Sequence, residues 1–352
     1  MLNGQIFASR YRIVQSLGTG TQGDVYEALD LHENSTVALK LLGTGGTWHE
    51  AQILRQLNDR HILPIRNADQ HLGMRYLATD LAAYGSLDKV LSANGLRGLP
   101  VPDVLCWIRE ACTGVARAHD ARLLHNDLKP ANLFLDSTGA CLVADFGMAK
   151  ALPPGSDTAQ PNGFTIMTAA PELCCGFLGQ VAVASVRSDV YALGATAYWL
   201  LAGTAPYDMT IIAGDPVACA AVVATGPPRP LRDQAPHVPR FVARTIERAM
   251  SRHSPDRFES PAEFSSELGR RPSVARIWGT TGEHGHAHVA CWRGRRASHR
   301  DRVTCVTRTS PNTFDIVTKL DPSGQRVTGG CHVAVRGSEL MRRLRVFFDK
   351  SD

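Results

Sequence analysis

Residues 125–136, HNDLKPANLFLD, place a carboxylate (Asp127), a permanent cation (Lys129) and an amide (Asn132) within six positions, just ahead of an apolar LFL. A carboxylate so placed can accept the proton of an attacking hydroxyl. The cation can balance charge on a moving phosphoryl group. Further on, VADFGMAK supplies Asp145. Asn132 and Asp145 are hard oxygen ligands of the kind magnesium accepts beside phosphates and water. A neutral Asn avoids stacking a third acid against Asp127 and Asp145. These parts suit phosphoryl transfer, which needs positioning and charge neutralisation and little covalent help.

The phosphate end of such a reaction has its own signal. LGTGTQGDVYEALD carries Gly18, Gly20 and Gly23 in a G-x-G-x-x-G spacing. A dinucleotide-binding fold uses the same spacing but continues into a helix. Here DVYEALD continues as a strand, so the glycines belong to a hairpin that can lie over phosphates with its amides close. VALK then sets Lys40 in an apolar strand, 17 residues after Gly23. We read Lys40 as a cation for the α- and β-phosphates of a nucleotide. It needs a carboxylate to hold it, and Glu50, on the next helix, is that partner.

Elements must bring these residues together. The first 80 residues read as short strands (YRIVQSLG, GDVYEALD, TVALKLL, MRYLATDL) interrupted by one helix, WHEAQILRQL. From residue 86 the pattern turns helical: VPDVLCWIREACTGVARAHDARL, SDVYALGATAYWLLAG and PRFVARTIERAM. The composition is that of a globular protein, 44% apolar and 20% charged. GRRPSVAR marks a boundary near residue 270. Beyond it HAHVACWRG, RVTCVTRT, TFDIVTKL and CHVAVRG read as strands, and SELMRRLRVFF as a closing helix or strand. Residues 272–352 carry 14 Lys/Arg against 7 Asp/Glu, so this unit is basic within a chain of net charge +5. The charge points to a separate unit, with an acidic partner as one expectation. The longest apolar stretch, VYALGATAYWLLAGTA, is 16 residues, short of the ~20 that span a bilayer. No secretion signal is legible at the N-terminus, and nine cysteines are then expected as free thiols in the cytoplasm.

In order and spacing, GTGTQGDVYEA, VALK, HNDLKPAN, DFG and APE (Ala170, Pro171, Glu172) resemble the eukaryotic-like serine/threonine protein kinases, the bacterial branch in particular. The resemblance covers residues 10 to about 270. It implies an α+β bilobal fold: a β-rich N-lobe over 1–81 and a helical C-lobe over 82–271, followed here by a small, mainly β domain over 272–352. It implies ATP in the cleft, with Mg2+ or Mn2+ on Asn132 and Asp145, an ion pair of Lys40 with Glu50, and Asp127 as catalytic base. Val25 and Ala38 would cover the adenine and Phe134 would underlie it. Thr79 would guard the back pocket, with hinge backbone from Asp80 to Ala82. Thr165 aligns with the threonine that bonds the catalytic acid in the serine/threonine class, to which Lys129–Pro130 also belongs. Glu172 should pair with Arg257, and Asp189 should anchor the catalytic loop. The implied activity is phosphoryl transfer from ATP to Ser/Thr hydroxyls of proteins.

Asn126 departs from the family, which has an arginine before the catalytic Asp. That arginine is the usual partner of an activation-segment phosphate. With Asn126, phosphorylation of Thr158 or Thr168 has no local cation to meet, and activity without this switch is expected. Thr168 stands where the family often has an aromatic, and LCCGFLGQVAVASVRS before Asp189 is longer than usual. Two readings compete with the active kinase: a pseudokinase scaffold, and a small-molecule kinase of related fold. The complete catalytic set argues against the first; Lys129, the APE element and Arg257 argue against the second. In the basic unit, His284, His286 and His288, with Cys291, Cys305, Cys331 and His332, are zinc-ligand types. Without a C-x-x-C, a half-exposed strand face is the reading kept. RGRRASHR reads as a solvated basic loop, and Ser298 and Ser273 are autophosphorylation candidates.

Overall fold

The computed structural model describes residues 3–20, 23–42, 57, 59–95, 98–210, 212, 214–270, 276–281, 288–296 and 299–351. Glu50, the WHEAQILRQL segment apart from its last residue Leu57, Ser273, His284, His286 and Ser298 lie outside the described residues.

The N-terminal residues form a six-stranded antiparallel sheet in the order β1-β2-β3-β4-β6-β5. Its strands are β1 (Ile6–Phe7), β2 (Tyr11–Gly20), β3 (Gly23–Asp30), β4 (Ser35–Leu42), β5 (Ile65–His71) and β6 (Met74–Asp80). β3 and β4 alternate between buried and half-buried positions. Tyr26, Ala28, Val37, Leu39 and Leu41 thereby join Phe7, Tyr11, Ile13, Tyr76 and Ala78 in a small core. Lys40 falls between Leu39 and Leu41, so its side chain leaves on the other face.

The larger lobe is built on two helices, α2 and α4. After α1 (Leu87–Ala93), α2 (Val101–Asp120) buries Val101, Val104, Ile108, Ala111, Val115 and Ala118, a stripe at helical spacing. After α3 (Pro171–Cys174), α4 (Val186–Ala202) buries nearly its whole circumference from Ser188 to Leu201, which is why its sequence is so apolar. A Ser185–Ser188 capping box starts α4. Around these pack α5 (Pro216–Thr225), α6 (Leu231–Gln234), α7 (Arg240–Ala249) and α8 (Pro261–Gly269). Three small sheets frame the loops between helices: β7 (Gly85–Ser86), β9 (Leu133–Leu135) and β10 (Cys141–Val143); β8 (Leu123–Leu124) with β11 (Lys150–Ala151); and β12 (Thr158–Ala159) with β13 (Ala184–Ser185). The lobes are tied where Val143 bonds both His61 and Leu63 through the backbone, at 2.8 and 2.9 Å. There, an added Cβ on Gly114 of α2 would stand 2.4 Å from the His61 oxygen, so only glycine permits the approach.

A separate five-stranded antiparallel meander follows: β14 (Ile277–Thr280), β15 (His288–Arg295), β16 (Arg302–Ser310), β17 (Thr313–Leu320) and β18 (His332–Arg336). β14 was not expected. The closing segment, read as helix or strand, is a helix, α9 (Gly337–Ser351). Its Leu340, Leu344, Phe347 and Phe348 recur at helical spacing and pack on Trp278, Trp292, Val306, Phe314 and Ile316. Part of the unit's positive charge is met within the chain, since Arg345 pairs with Asp233 of α6. Arg232 of α6 in turn pairs with Asp349 of α9 at 2.7 Å, and Thr280 donates to the Gly98 carbonyl at 2.8 Å. Among the described residues no helix is long and apolar enough to cross a membrane.

Candidate active site

The segment between β8 and β9 holds the polar cluster, pinned at both ends by strand pairing. Asp127 is 2% exposed, and both of its carboxylate oxygens are engaged. Oδ1 accepts the Thr165 hydroxyl at 2.6 Å. Oδ2 accepts Lys129 Nζ at 2.9 Å and Asn132 Nδ2 at 3.0 Å. Lys129 Nζ also donates to the Thr165 oxygen at 2.8 Å. Asn132 Nδ2 further donates to the Asp127 carbonyl at 2.7 Å, which closes the turn. The structure thus brings together Asp127, Lys129, Asn132 and Thr165, although Thr165 lies 38 residues from Asp127.

Below this cluster sits an anchor built from Asp189 in the first turn of α4. Its Oδ2 accepts the backbone N–H of His125 and the His119 ring, each at 2.8 Å, and its Oδ1 accepts the Asn126 N–H at 2.9 Å. Burial alone would push the Asp189 carboxyl up, but the His119 hydrogen bond and the nearby imidazoles prevail and hold it below the usual carboxylate range. His125 has a defined tautomer: Nδ1 accepts the Asp127 N–H at 3.2 Å, so Nε2 carries the proton it donates to the Ala144 carbonyl at 3.1 Å. Its ring lies 4.4 Å from that of Phe146. The sequence reading missed His119 and His125. His125 stood in the quoted motif, and His119 is a last-turn helix histidine, where the helix dipole favours such a group.

Asn126 takes a left-handed backbone conformation (φ +64°), which Asn tolerates better than most residues. Its side-chain amide donates to the Met148 carbonyl at 3.3 Å, and its Oδ1 is buried with no hydrogen-bond partner among the described residues. A neutral contact therefore joins the Asp127 loop to the segment that follows Asp145. Of the two threonines named earlier, Thr158 is exposed on β12, whereas Thr168 is 2% exposed.

Lys40 reaches across from β4 to the Asp145 carboxylate, with Nζ to Oδ1 at 2.5 Å. Asp145 too is left-handed (φ +57°). Asp145 is the partner of Lys40 among the described residues, and Glu50 lies outside them. The Ala144 N–H donates to the Asn132 carbonyl at 2.9 Å, which draws the Asn132 turn beside Asp145. Because Asn132 spends its amide nitrogen on Asp127, its side-chain oxygen is left on the opposite side of the amide group. That oxygen and the Asp145 carboxylate are an all-oxygen donor set, which fits magnesium.

The glycines divide in role. Gly20 pairs with Gly23 at the end of the β2–β3 hairpin, and Gly18 pairs with Val25. A Cβ on Gly18 would meet open space, while one on Gly23 (φ +124°) would stand 1.9 Å from the Leu41 oxygen. Gly23 is therefore required by strand packing, and the freedom to approach a ligand resides at Gly18. Val25 pairs with Lys40, and Ala38 with Thr79, across neighbouring strands. The Thr79 hydroxyl donates to the Asp80 carbonyl at 3.3 Å, and the Asp80 side chain is held by Arg66. Asp80 to Ala82 then lead into β7, whose Ser86 pairs with half-buried Phe134.

The far side of the segment is held by Arg257, whose two terminal nitrogens meet the two oxygens of Glu172 at 2.6 and 2.7 Å. The same guanidinium, fully buried, donates to the carbonyls of Ser251, Arg187 and Arg252. It sits 5.0 Å from the Tyr191 ring centroid.

Comparison with known proteins agrees with this geometry. The family described as protein kinase domain matches residues 11–240. The chain is 27% identical over 285 residues to the probable serine/threonine-protein kinase PknB of Lactococcus lactis, covering 78% of this chain and 44% of that protein. It is 29% identical over 219 residues to the serine/threonine-protein kinase PknL of Mycobacterium tuberculosis, covering 58% of this chain and 52% of that one. The chain thus spans about half the length of these relatives. The crystal structure of the Mycobacterium tuberculosis PknI kinase domain is similar with a TM-score of 0.59 at 27% identity, covering 76% of this chain and 98% of that domain. On these grounds the chain belongs to the protein kinase family, in its eukaryotic-like serine/threonine branch.

Proposed function

We propose that the chain is an ATP-dependent protein kinase that transfers the γ-phosphoryl group to serine and threonine hydroxyls of protein substrates. The observation that carries this reading is the doubly engaged Asp127 carboxylate, with Thr165, Lys129 and Asn132 around it and the Lys40–Asp145 pair beside it. Asp127 receives the proton of the incoming hydroxyl. Lys129 neutralises charge on the group in transit, and Lys40 turns from Asp145 to the donor phosphates. Asn132 and Asp145 would hold magnesium, which supplies charge neutralisation on the donor. The Gly18–Gly23 hairpin covers the phosphates, and Val25, Ala38, Thr79, the Asp80–Ala82 backbone and Phe134 line the base. Residues 1–81 and 82–271 serve as the two lobes and 272–352 as a third domain. Thr165 and the Glu172–Arg257 pair support protein over small-molecule acceptors, because both shape the segment on which a peptide would lie. None of the nine cysteines is in a disulfide, which supports a reducing compartment such as the cytoplasm.

We further propose activity without activation-segment phosphorylation. The neutral Asn126–Met148 bond stands where a charged side chain would need a phosphate to offset it. Both readings are tested by stripping the protein with phosphatase, adding labelled ATP and magnesium with a generic protein acceptor, and identifying the labelled amino acids. Label on phosphoserine and phosphothreonine at an undiminished initial rate is expected. A rate lost on stripping overturns the second reading alone. No transfer under any condition favours the pseudokinase scaffold.

A further inference from the structure

A second cluster of ligand atoms lies far from the cleft in sequence, in the C-terminal sheet. There Cys291 of β15 faces Cys305 of β16 directly across the ladder. His288 is three residues before Cys291, and in a regular strand it would point to the opposite face. The pairing is not regular. His288 lies opposite Thr307 and Ala290 opposite Val306, so a bulge inserts one extra residue between them. A bulge re-aims a side chain, and this one turns His288 to the face of the two cysteines. The ligand atoms of His288, Cys291 and Cys305 all lie within 4.8 Å of one another. The alternate positions, Ala290, Trp292 and Val306, pack toward α9, so the cluster occupies the face away from that helix. His288 Nδ1 and the Thr307 hydroxyl are 2.8 Å apart. With the hydroxyl accepting, Nε2 is left as the basic nitrogen.

We propose that His288, Cys291 and Cys305 form a binding site for a zinc-class divalent cation, with Thr307 positioning the histidine and water as the fourth ligand. Two sulfurs and an imidazole nitrogen select zinc over magnesium or calcium, which take oxygen. In a tetrahedral zinc site the sulfurs stand roughly 3.8 Å apart, which lies inside the 4.8 Å that bounds the ligand atoms here. On binding, two thiols release their protons to solvent, two sulfur–metal bonds and one nitrogen–metal bond form, and no electron is transferred. Two thiolates, a neutral imidazole and the dication sum to zero charge, so the loaded site carries no net charge into the partly buried sheet. A disulfide between the facing cysteines would leave the re-aimed His288 without a role.

The full chain, purified in reductant, stripped with chelator and reloaded with Zn2+ or Co2+, provides the test. One equivalent per chain is expected, and the cobalt form should show a thiolate-to-metal charge-transfer band. Cys291→Ser and Cys305→Ser should each weaken binding about 100-fold or more, and Thr307→Val by about tenfold with the band retained. Cys331→Ser, whose sulfur is directed at the Thr318 and Val327 carbonyls, should bind like the parent. The proposal is overturned if the reloaded parent chain holds well under one equivalent. It fails equally if both serine variants bind as the parent does, or if intact mass shows Cys291 and Cys305 joined in protein kept under reductant.

Discussion

At the scale of single residues, the account rests on how a carboxylate is held and aimed. Asp127 has little water around it and takes three donors in its place. Thr165 matters because its hydroxyl both donates to Asp127 and accepts from Lys129. Thr165→Val removes both bonds and leaves a buried carboxylate oxygen short of a donor. Hydrogen bonds to charged groups contribute about 1.5–3 kcal/mol, so kcat should fall by roughly 10- to 100-fold, with the KM for ATP unchanged. Steady-state kinetics against a protein acceptor checks this, and an altered KM with intact kcat would contradict the assignment. The motif residues were legible because their chemistry is local. HNDLKPAN brings three polar groups into reach within one loop, whatever surrounds it. His119 was not legible, since its value comes from a carboxylate 70 residues away that the strand patterns do not locate.

Among the elements, the Glu172–Arg257 pair joins α3 to the turn before α8 across 85 residues. The guanidinium has no exposure and satisfies three backbone carbonyls besides the carboxylate. Removing one partner of such a buried pair costs about 3–5 kcal/mol. Arg257→Ala should lower the thermal midpoint accordingly. Arg257→Lys should recover little, because an ammonium cannot make the two-pronged contact. Calorimetry on the two variants decides; full recovery by lysine would mean that charge alone matters there. At this scale sequence reading succeeded where one pattern ran unbroken, the one-sided stripe of α2 and the continuous apolar run of α4. It was least definite in the C-terminal unit. α9 follows β18 without an intervening loop, so SELMRRLRVFF offered both readings, and the bulge at His288 erases the alternation on which a strand face is judged.

For the whole molecule, two junctions matter. One is the contact of the C-terminal domain with the larger lobe, where the His237 ring lies 6.3 Å from those of Trp292 and Phe348. Neither ring nitrogen of His237 has a hydrogen-bond partner among the described residues. Burial, aided by Arg232, pushes its pKa down to about 4. In the unfolded chain an imidazole titrates near ~6.5. Between these values the unfolded chain binds a proton that the folded chain refuses, so folding weakens as pH falls from about 6.5 to about 4. The loss should approach roughly 3 kcal/mol, and His237→Phe should abolish it when denaturant midpoints of the two proteins are compared across that range. An identical pH profile in both would contradict the buried neutral assignment. The other junction is the cleft, where Lys40 of the small lobe meets Asp145 of the large one beside Asp127. If these groups serve a single reaction, Asp127→Asn should bind ATP and magnesium as tightly as the parent. General-base catalysis contributes about 10²–10⁴-fold, and the variant's single-turnover transfer should slow by that factor. Transfer by Asp127→Asn at the parental rate would contradict the account.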